Sequence, residues 1–194
     1  MTVSQDISRP NRSFDQADLE LWPIGNCQVS GLVDRTGALV WGCVPRVDGD
    51  PVFCALLNDD RRDAGIWQFE LEGQTSVEQH YERNTAILVT RIEAEDGSAV
   101  EIRDFCPRFE SSGRMYRPVA WVRNVRPVSG NPRLRVVLKP MRDYGAEIAP
   151  TTHGTNHVRY LIGPQALRLS TDAPIGYVLE DRSFRVESEL HFFL

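Results

Sequence analysis

Residues 24–57 read Ile-Gly-Asn-Cys-Gln-Val-Ser-Gly-Leu-Val-Asp-Arg-Thr-Gly-Ala-Leu-Val-Trp-Gly-Cys-Val-Pro-Arg-Val-Asp-Gly-Asp-Pro-Val-Phe-Cys-Ala-Leu-Leu. Asp34-Arg35-Thr36-Gly37 sits between two apolar runs, and Gly37 can take the positive φ that a β-carbon penalises, so the segment predicts a hairpin. The hairpin delivers Trp41 into an irregular stretch, Pro45-Arg46-Val47-Asp48-Gly49-Asp50-Pro51, which sets an aromatic ring, a guanidinium and two carboxylates within short reach of one another.

The same grammar continues along the chain. Trp67, Phe69 and Leu71 alternate with Gln68 and Glu70, the period of a strand with one buried face, and Glu72-Gly73 breaks it before Thr75 to Tyr81 resumes with Val77 and Tyr81 on one side. Thr85 to Phe105 predicts a second hairpin, its apolar runs flanking Asp96-Gly97 in a type I′ turn. Pro118 to Val125 and Leu134 to Leu138 predict a third pair joined across Pro127 to Pro132, with Val119, Trp121, Leu134, Val136 and Leu138 facing inward. Short strands are expected at Val158 to Ile162, Ala166 to Ser170 and Ile175 to Glu180, punctuated by Gly163-Pro164 and Asp172-Ala173-Pro174. Regular short strands argue for an all-β, antiparallel two-sheet sandwich over a parallel α/β sheet.

At the ends the expectations differ in kind. Met1 to Arg12 carries few apolar residues and reads as a flexible arm, with order starting near Ser13 and the sandwich filling residues 13–194. Phe14 to Leu19 fits a helical turn or a strand lead-in equally. Phe184, Val186, Leu190, Phe192 and Leu194 alternate with charged residues up to the final position. Either that strand is covered inside the sandwich or a further segment pairs with it, so the sandwich reads as incomplete at its C-terminal end; an exposed edge would also favour self-association.

Composition narrows the function classes. The 194 residues carry a formal net charge of -5, which on average repels a nucleic-acid backbone. Neither an apolar run of ~18 residues nor a secretory leader is present, so no membrane contact is expected and the default compartment is the cytoplasm. Cys27, Cys43, Cys54 and Cys106 lack a Cys-x-x-Cys pair and a histidine at zinc-ligand spacing, and read as reduced, buried thiols. His153-Gly154-Thr155-Asn156-His157 reads as a loop. No metal and no cofactor is expected.

The 24–57 stretch resembles the opening of the N-terminal domain of bacterial glucoamylase and trehalase-like enzymes, glycoside hydrolase family fifteen. Ile24, Gly25, Asn26, Leu32, Val33, Asp34, Gly37, Trp41, Cys43, Pro45, Arg46, Asp48, Pro51, Phe53, Leu56 and Leu57 match that family's pattern, while Val47 stands where the family usually has Phe. Glu82-Arg83-Asn84-Thr85-Ala86-Ile87-Leu88, Asp104-Phe105-Cys106-Pro107 and Leu138-Lys139-Pro140-Met141-Arg142-Asp143-Tyr144-Gly145 are similar to three further family stretches, in the same order. The resemblance implies a supersandwich of the galactose-mutarotase type, and it implies that the two catalytic glutamates lie in a separate (α/α)6 helical barrel, absent from these residues.

That leaves two function classes and a minor third. In the first, the chain is a non-catalytic N-terminal domain that docks on the barrel and shapes the rim of its α-glucoside pocket, with Trp41, Pro45, Arg46 and Asp48 as substrate-rim or inter-domain candidates. For Trp41 the alternative is a core ring, and for Arg46 with Asp48 a loop-stabilising ion pair. In the second, the chain is a freestanding carbohydrate-binding module with an aromatic platform. A mutarotase-like enzyme would need His80, His191 and Glu78 to converge. Hydrolysis itself needs two carboxyl groups about 5–5.5 Å or about 6.5–9.5 Å apart. Asp48/Asp50, Asp59/Asp60, Glu93/Glu95 and Glu187/Glu189 are pairs by number only, each in a turn or on an exposed strand face, so no catalytic residue is assigned.

Overall fold

A computed structural model describes residues 19–57 and 63–194. The expectations for residues 1–12 and for order from Ser13, most of the Phe14 to Leu19 segment, and the Asp59/Asp60 pair lie outside the described residues.

The chain opens as a meander of β1 (Leu21–Gly25), β2 (Ser30–Asp34), β3 (Leu39–Val44) and β4 (Asp50–Phe53), passes a 3-10 turn at Ala55–Leu57, and adds β5 (Ile66–Leu71) to the first sheet. It then crosses to the second sheet for β6 (Gln74–Tyr81), β7 (Leu88–Ala94) and β8 (Ala99–Phe105). Two short strands, β9 (Phe109–Ser111) and β10 (Arg114–Tyr116), pair only with each other. Next, β11 (Val122–Ser129) returns to the second sheet, β12 (Arg133–Lys139) to the first, and β13 (Met141–Arg142) with β14 (Glu147–Ile148) forms a small ladder of its own. The last elements are β15 (Thr151–His153), β16 (His157–Ile162), β17 (Gln165–Thr171), the helix α1 (Ile175–Leu179), β18 (Phe184–Arg185) and β19 (Leu190–Phe193).

The first sheet runs β1-β2-β3-β5-β12-β18 with β4 on β3, and the second runs β15-β16-β17-β19-β11-β8-β7-β6, all antiparallel. Alternating apolar side chains of both inner faces meet in one core, including Leu39, Phe53, Trp67, Phe69 and Val136 from the first sheet and Leu88, Ile92, Ile102, Val125 and Phe192 from the second. Aromatic contacts cross the gap: Phe69 to Phe192 at 5.0 Å between ring centroids, and Phe53 to Trp121 at 5.4 Å. The all-β, two-sheet reading of the sequence is therefore met.

Inside this apolar layer sits one ion pair. Arg123 of β11 is 1% exposed and Asp104 of β8 is 0% exposed. Arg123 Nε and Nη2 donate to the two Asp104 carboxylate oxygens at 2.8 and 3.0 Å, Nη1 donates to the Trp67 carbonyl at 2.6 Å, and Nη2 also reaches the Gly37 carbonyl. The guanidinium plane lies over the Phe69 and Trp67 rings, 4.7 and 5.3 Å from their centroids. One side chain of the second sheet thus fastens β5 and the β2–β3 turn of the first, in a medium where unpaired charge is expensive.

Several details depart from the sequence reading. The turn at Asp96-Gly97 has one positive φ, Gly97 at 80°, and Gly97 N–H donates to the Ala94 carbonyl while Ala94 N–H donates to Ser98. That is a three-residue connection closed by a left-handed glycine, where type I′ requires two positive φ values. Asp34 to Ala38 repeats the pattern around Gly37 (φ 82°), with Asp34 Oδ1 accepting from Thr36 N, Thr36 Oγ1 and Ala38 N.

The pair expected between Pro118–Val125 and Leu134–Leu138 does not form, because β11 and β12 lie in different sheets, and Val119 is 42% exposed. The linker explains it. Ser129 Oγ donates to Gly97 O and Asn131 N–H donates to Ser98 Oγ, so the chain is tied to the β7–β8 turn and carried across the sandwich edge. Where a strand was expected over Ile175 to Glu180, Ile175–Leu179 is helix: Pro174 holds φ at -66°, and Ile175 and Val178, three apart, are the buried pair.

The C-terminal strand has no free edge to offer a second copy. β19 is paired on both sides, with β11 and with β17, and Leu194 exchanges backbone hydrogen bonds with Trp121. Among the cysteines, Cys43, Cys54 and Cys106 are buried free thiols, and burial pushes Cys106, beside Asp104, up to about 12. Cys27 is exposed, contrary to expectation, at a φ of 71°.

On the outer face of the second sheet, burial alone would raise the Glu101 carboxyl, but the Arg126 fork at 2.9 and 3.0 Å and Arg103 at 3.2 Å hold it below the usual carboxylate value. A lowered folded-state value contributes stability above the unfolded value of 4.5 that fades as pH falls through the folded one. The stability difference between the native chain and Glu101→Gln is expected to shrink as urea unfolding is followed from pH 7 to below that value. A constant difference would contradict the pairing.

Candidate functional site

The register places the resembling segments at one end of the sandwich. Gly25 faces Ser30 and Gly31 faces Gly42, so the β1–β2 turn and the β3–β4 loop emerge together. Tyr81 faces Leu88, Leu88 faces Asp104, Phe105 faces Val122, and Val122 faces Phe193, which brings the 82–87 loop and the 106–121 segment to one end of the second sheet. Asn26 joins the two sheets there. Its Oδ1 accepts from Gln28 N and Val29 N, and its Nδ2 donates to the Pro107 and Pro118 carbonyls, both at 2.8 Å, which uses every hydrogen-bonding position of a side chain only 2% exposed.

Between these segments lies a cleft of about 610 Å³, walled by Gly25–Cys27, by 84–87 and by 105–109. Its second wall is rigid by construction. Thr85 N–H and Oγ1 both bond the Glu82 carbonyl, Ile87 N–H returns to Thr85 Oγ1, and Asn84 supplies a left-handed φ of 60° that an asparagine tolerates. Three of the four resembling segments therefore line one cavity, which the sequence could not show because they come from three separate turns.

The fourth segment meets the β3–β4 loop. Asp143, Tyr144 and Gly145 take consecutive positive φ values of 52°, 56° and 84°, and Tyr144 N–H donates to Asp50 Oδ1 at 2.9 Å. Gly49 closes the loop with its N–H on the Arg46 carbonyl, and a β-carbon there would stand 2.2 Å from the Val44 carbonyl oxygen. Val44, Pro45, Gly49, Asp50 and Asp143 line a second, smaller cleft of about 270 Å³ together with 162–165.

The four residues singled out from the sequence take distinct positions. Trp41 is half-buried against Cys54, Ala64 and Met141. Pro45 is exposed at the loop's start, following a cis peptide bond. Arg46 and Asp48 pair with each other through Nε at 2.9 Å and Nη2 at 3.0 Å, in solvent, at 69% and 65% exposure. The other acid pairs are engaged separately: Asp50 holds Tyr144, Glu93 holds Arg91 and Glu187 faces Arg185. His80 and His191 sit on strands with three others between them, about 19 Å apart at ~4.8 Å per strand, and His191 is held by Asp172 at 2.7 Å. The convergence a mutarotase-like site needs is missing.

What sequence reasoning missed is the β9–β10 arm. Ser112 and Gly113 have φ values of 50° and 69°, the two positive angles of a type I′ turn, and a Ser-Gly dipeptide between Glu110 and Met115 was the available signal. Phe109 and Tyr116 stack across the arm at 5.6 Å with planes 15° apart, yet every residue of both strands is exposed. Val47, Phe109, Met115, Tyr116, Val119 and Tyr144, all at this end, are between 42% and 80% exposed.

Comparison with known proteins matches residues 20–172 to a family described as trehalase-like, N-terminal. This chain belongs to that family. Among curated proteins, the trehalase of Mycobacterium tuberculosis is 29% identical over 91% of this chain and 28% of its own length. The trehalase of Mycolicibacterium smegmatis is 28% identical over 86% and 27%, and that of Thermoplasma volcanium 25% identical over 78% and 24%. The chain thus spans about a quarter of the length of the curated relatives it matches. No solved structure matches it. Membership of the trehalase-like N-terminal family agrees with the resemblance read from the sequence, and no helix of the described residues is long and apolar enough to cross a membrane.

Proposed function

We propose that this chain is a non-catalytic N-terminal domain of a trehalase-like glycoside hydrolase, docking by its motif-bearing end on a catalytic helical barrel and shaping one rim of the barrel's pocket. The whole enzyme would hydrolyse an α-glucosidic bond with inversion, using two glutamates outside these residues. Trp41, Pro45, Arg46 and Asp48 belong to the docking rim. The observation that carries the reading is the gathering of all four family segments, with six exposed apolar side chains, at a single end of the sandwich. Exposed apolar surface concentrated in this way marks a contact face more often than a surface left to solvent. A carbohydrate-binding module would present its rings as one open platform; here Phe109 and Tyr116 cover each other, and Trp41 is half-buried.

Docking is testable by substituting this chain for the matched region of the Mycolicibacterium smegmatis trehalase. The chimera is expected to melt in one cooperative transition above that of the isolated chain, because docking contacts add to the stability of both parts. Two independent transitions, one coinciding with the isolated chain, would contradict the reading.

A further inference from the structure

We infer that the β9–β10 arm is a basic docking finger that fits a carboxylate-lined apolar socket on the catalytic portion of the enzyme. The inference rests on the proposed docking and adds which element makes it and what the partner must present.

The arm cannot be explained as part of the fold. Its strands pair only with each other, all six of their residues are exposed, and an isolated two-stranded hairpin is marginal in water without a face to pack on. Yet its sequence is shaped as if for burial. Phe109 and Tyr116 stack on one face, Met115 stands on the other, and aromatic and methionine side chains are the types that anchor interfaces.

Charge supplies the second observation. Arg126, Arg133 and Arg135 of the two sheets pair with Glu101, Glu72 and Glu70, and Arg142 of the small ladder pairs with Glu147, whereas Arg159 and Arg168 on β16 and β17 are exposed and form no ion pair among the described residues. Arg108, Arg114 and Arg117, clustered on or beside the arm within ten residues, form no ion pair among the described residues, and neither does Arg83 in the 82–87 loop. Residues 108–117 hold three arginines and one acid, Glu110, in a chain whose net charge is -5. A local basic excess on an acidic protein, wrapped around exposed aromatic rings, selects a partner surface that brings carboxylates to an apolar centre. Arginine suits the task because its fork meets a carboxylate in a bidentate way and its plane tolerates desolvation better than an ammonium.

The test uses hydrogen exchange in the chimera with the Mycolicibacterium smegmatis trehalase and in the isolated chain. Backbone amides of residues 109–116 are expected to exchange at least about tenfold more slowly in the chimera, the arm being covered there and open in the isolated chain. Arg108→Glu/Arg114→Glu/Arg117→Glu should abolish that protection in the chimera while leaving the melting temperature of the isolated chain unchanged, and 0.5 M salt should reduce it. If 84–87 and 105–107 become protected and the arm does not, the finger is wrong and docking stands. If no segment becomes protected, both fail. Concentration-dependent protection of the arm in the isolated chain would overturn the inference in favour of a second copy as the partner.

Discussion

Asp104→Ala is expected to destabilise the chain by about 3–5 kcal/mol, lowering Tm by roughly 6–20 °C for a domain of this size. The reason is the burial of its partner. Arg123 cannot lose its proton, is 1% exposed, and would be left as an uncompensated cation against the Trp67 and Phe69 rings with only the Trp67 and Gly37 carbonyls to hold it. Removing both charges, as in Asp104→Leu/Arg123→Met, should lose less than the single substitution, since the desolvation of the pair then disappears along with its attraction. Thermal unfolding of the two variants decides the matter. A single substitution as mild as an ordinary surface change, about 0.5 kcal/mol, would contradict the clamp between the sheets.

Trp121→Ala should cost about 3–5 kcal/mol as well, with a different signature. Trp121 is 1% exposed, sets its ring edge-on to Phe53 and donates Nε1–H to the Ser30 carbonyl. Two glycines let it lie that close to the first sheet: a β-carbon at Gly31 would stand 3.0 Å from its Nε1 and one at Gly42 2.8 Å from its Cζ2. Its backbone holds Leu194. The ring is therefore the keystone of the end that carries the family segments, and its loss should free the amides of residues 26–31 and 42–53 to exchange before those around Asp96-Gly97 at the opposite end. Uniform loss of protection across the sandwich would show that the ring stabilises the core without organising that end.

Much of this architecture is written in local chemistry. Two hairpins announce themselves because a glycine following Asp-Arg-Thr or Glu-Asp can close a turn at positive φ, and the alternation of Trp67, Phe69 and Leu71 fixes which face is buried. The choice of partner strand is not local. β11 and β12 alternate as well as any neighbours do, and the bonds from Ser129 and Asn131 to the β7–β8 turn, made across the fold, send them to different sheets. The final strand, Leu190–Phe193, carries enough apolar residues to look like a dangerous edge, but its place between β11 and β17 makes it a central strand. At Ile175–Leu179 a short apolar run between turn signals reads as a strand, but the chain closes one helical turn after Pro174 because Ile175 and Val178, three apart, then face the core together.

The candidate site was legible in its parts and hidden in its assembly. Asn26, Asn84, Thr85 and Pro107 each belong to a recognisable stretch, but only the bonds from Asn26 Nδ2 to the Pro107 and Pro118 carbonyls show that distant turns share one cleft. The Arg46–Asp48 contact, by comparison, needed no long-range information, since two residues apart in a tight loop is enough for an arginine fork to meet a carboxylate.

The central claim, that this chain is a docking domain without chemistry of its own, is tested most directly by incubating the purified chain with trehalose and measuring glucose. The account predicts no release above a blank at any pH. Sustained release that disappears on substituting an aspartate or glutamate of this chain would contradict it.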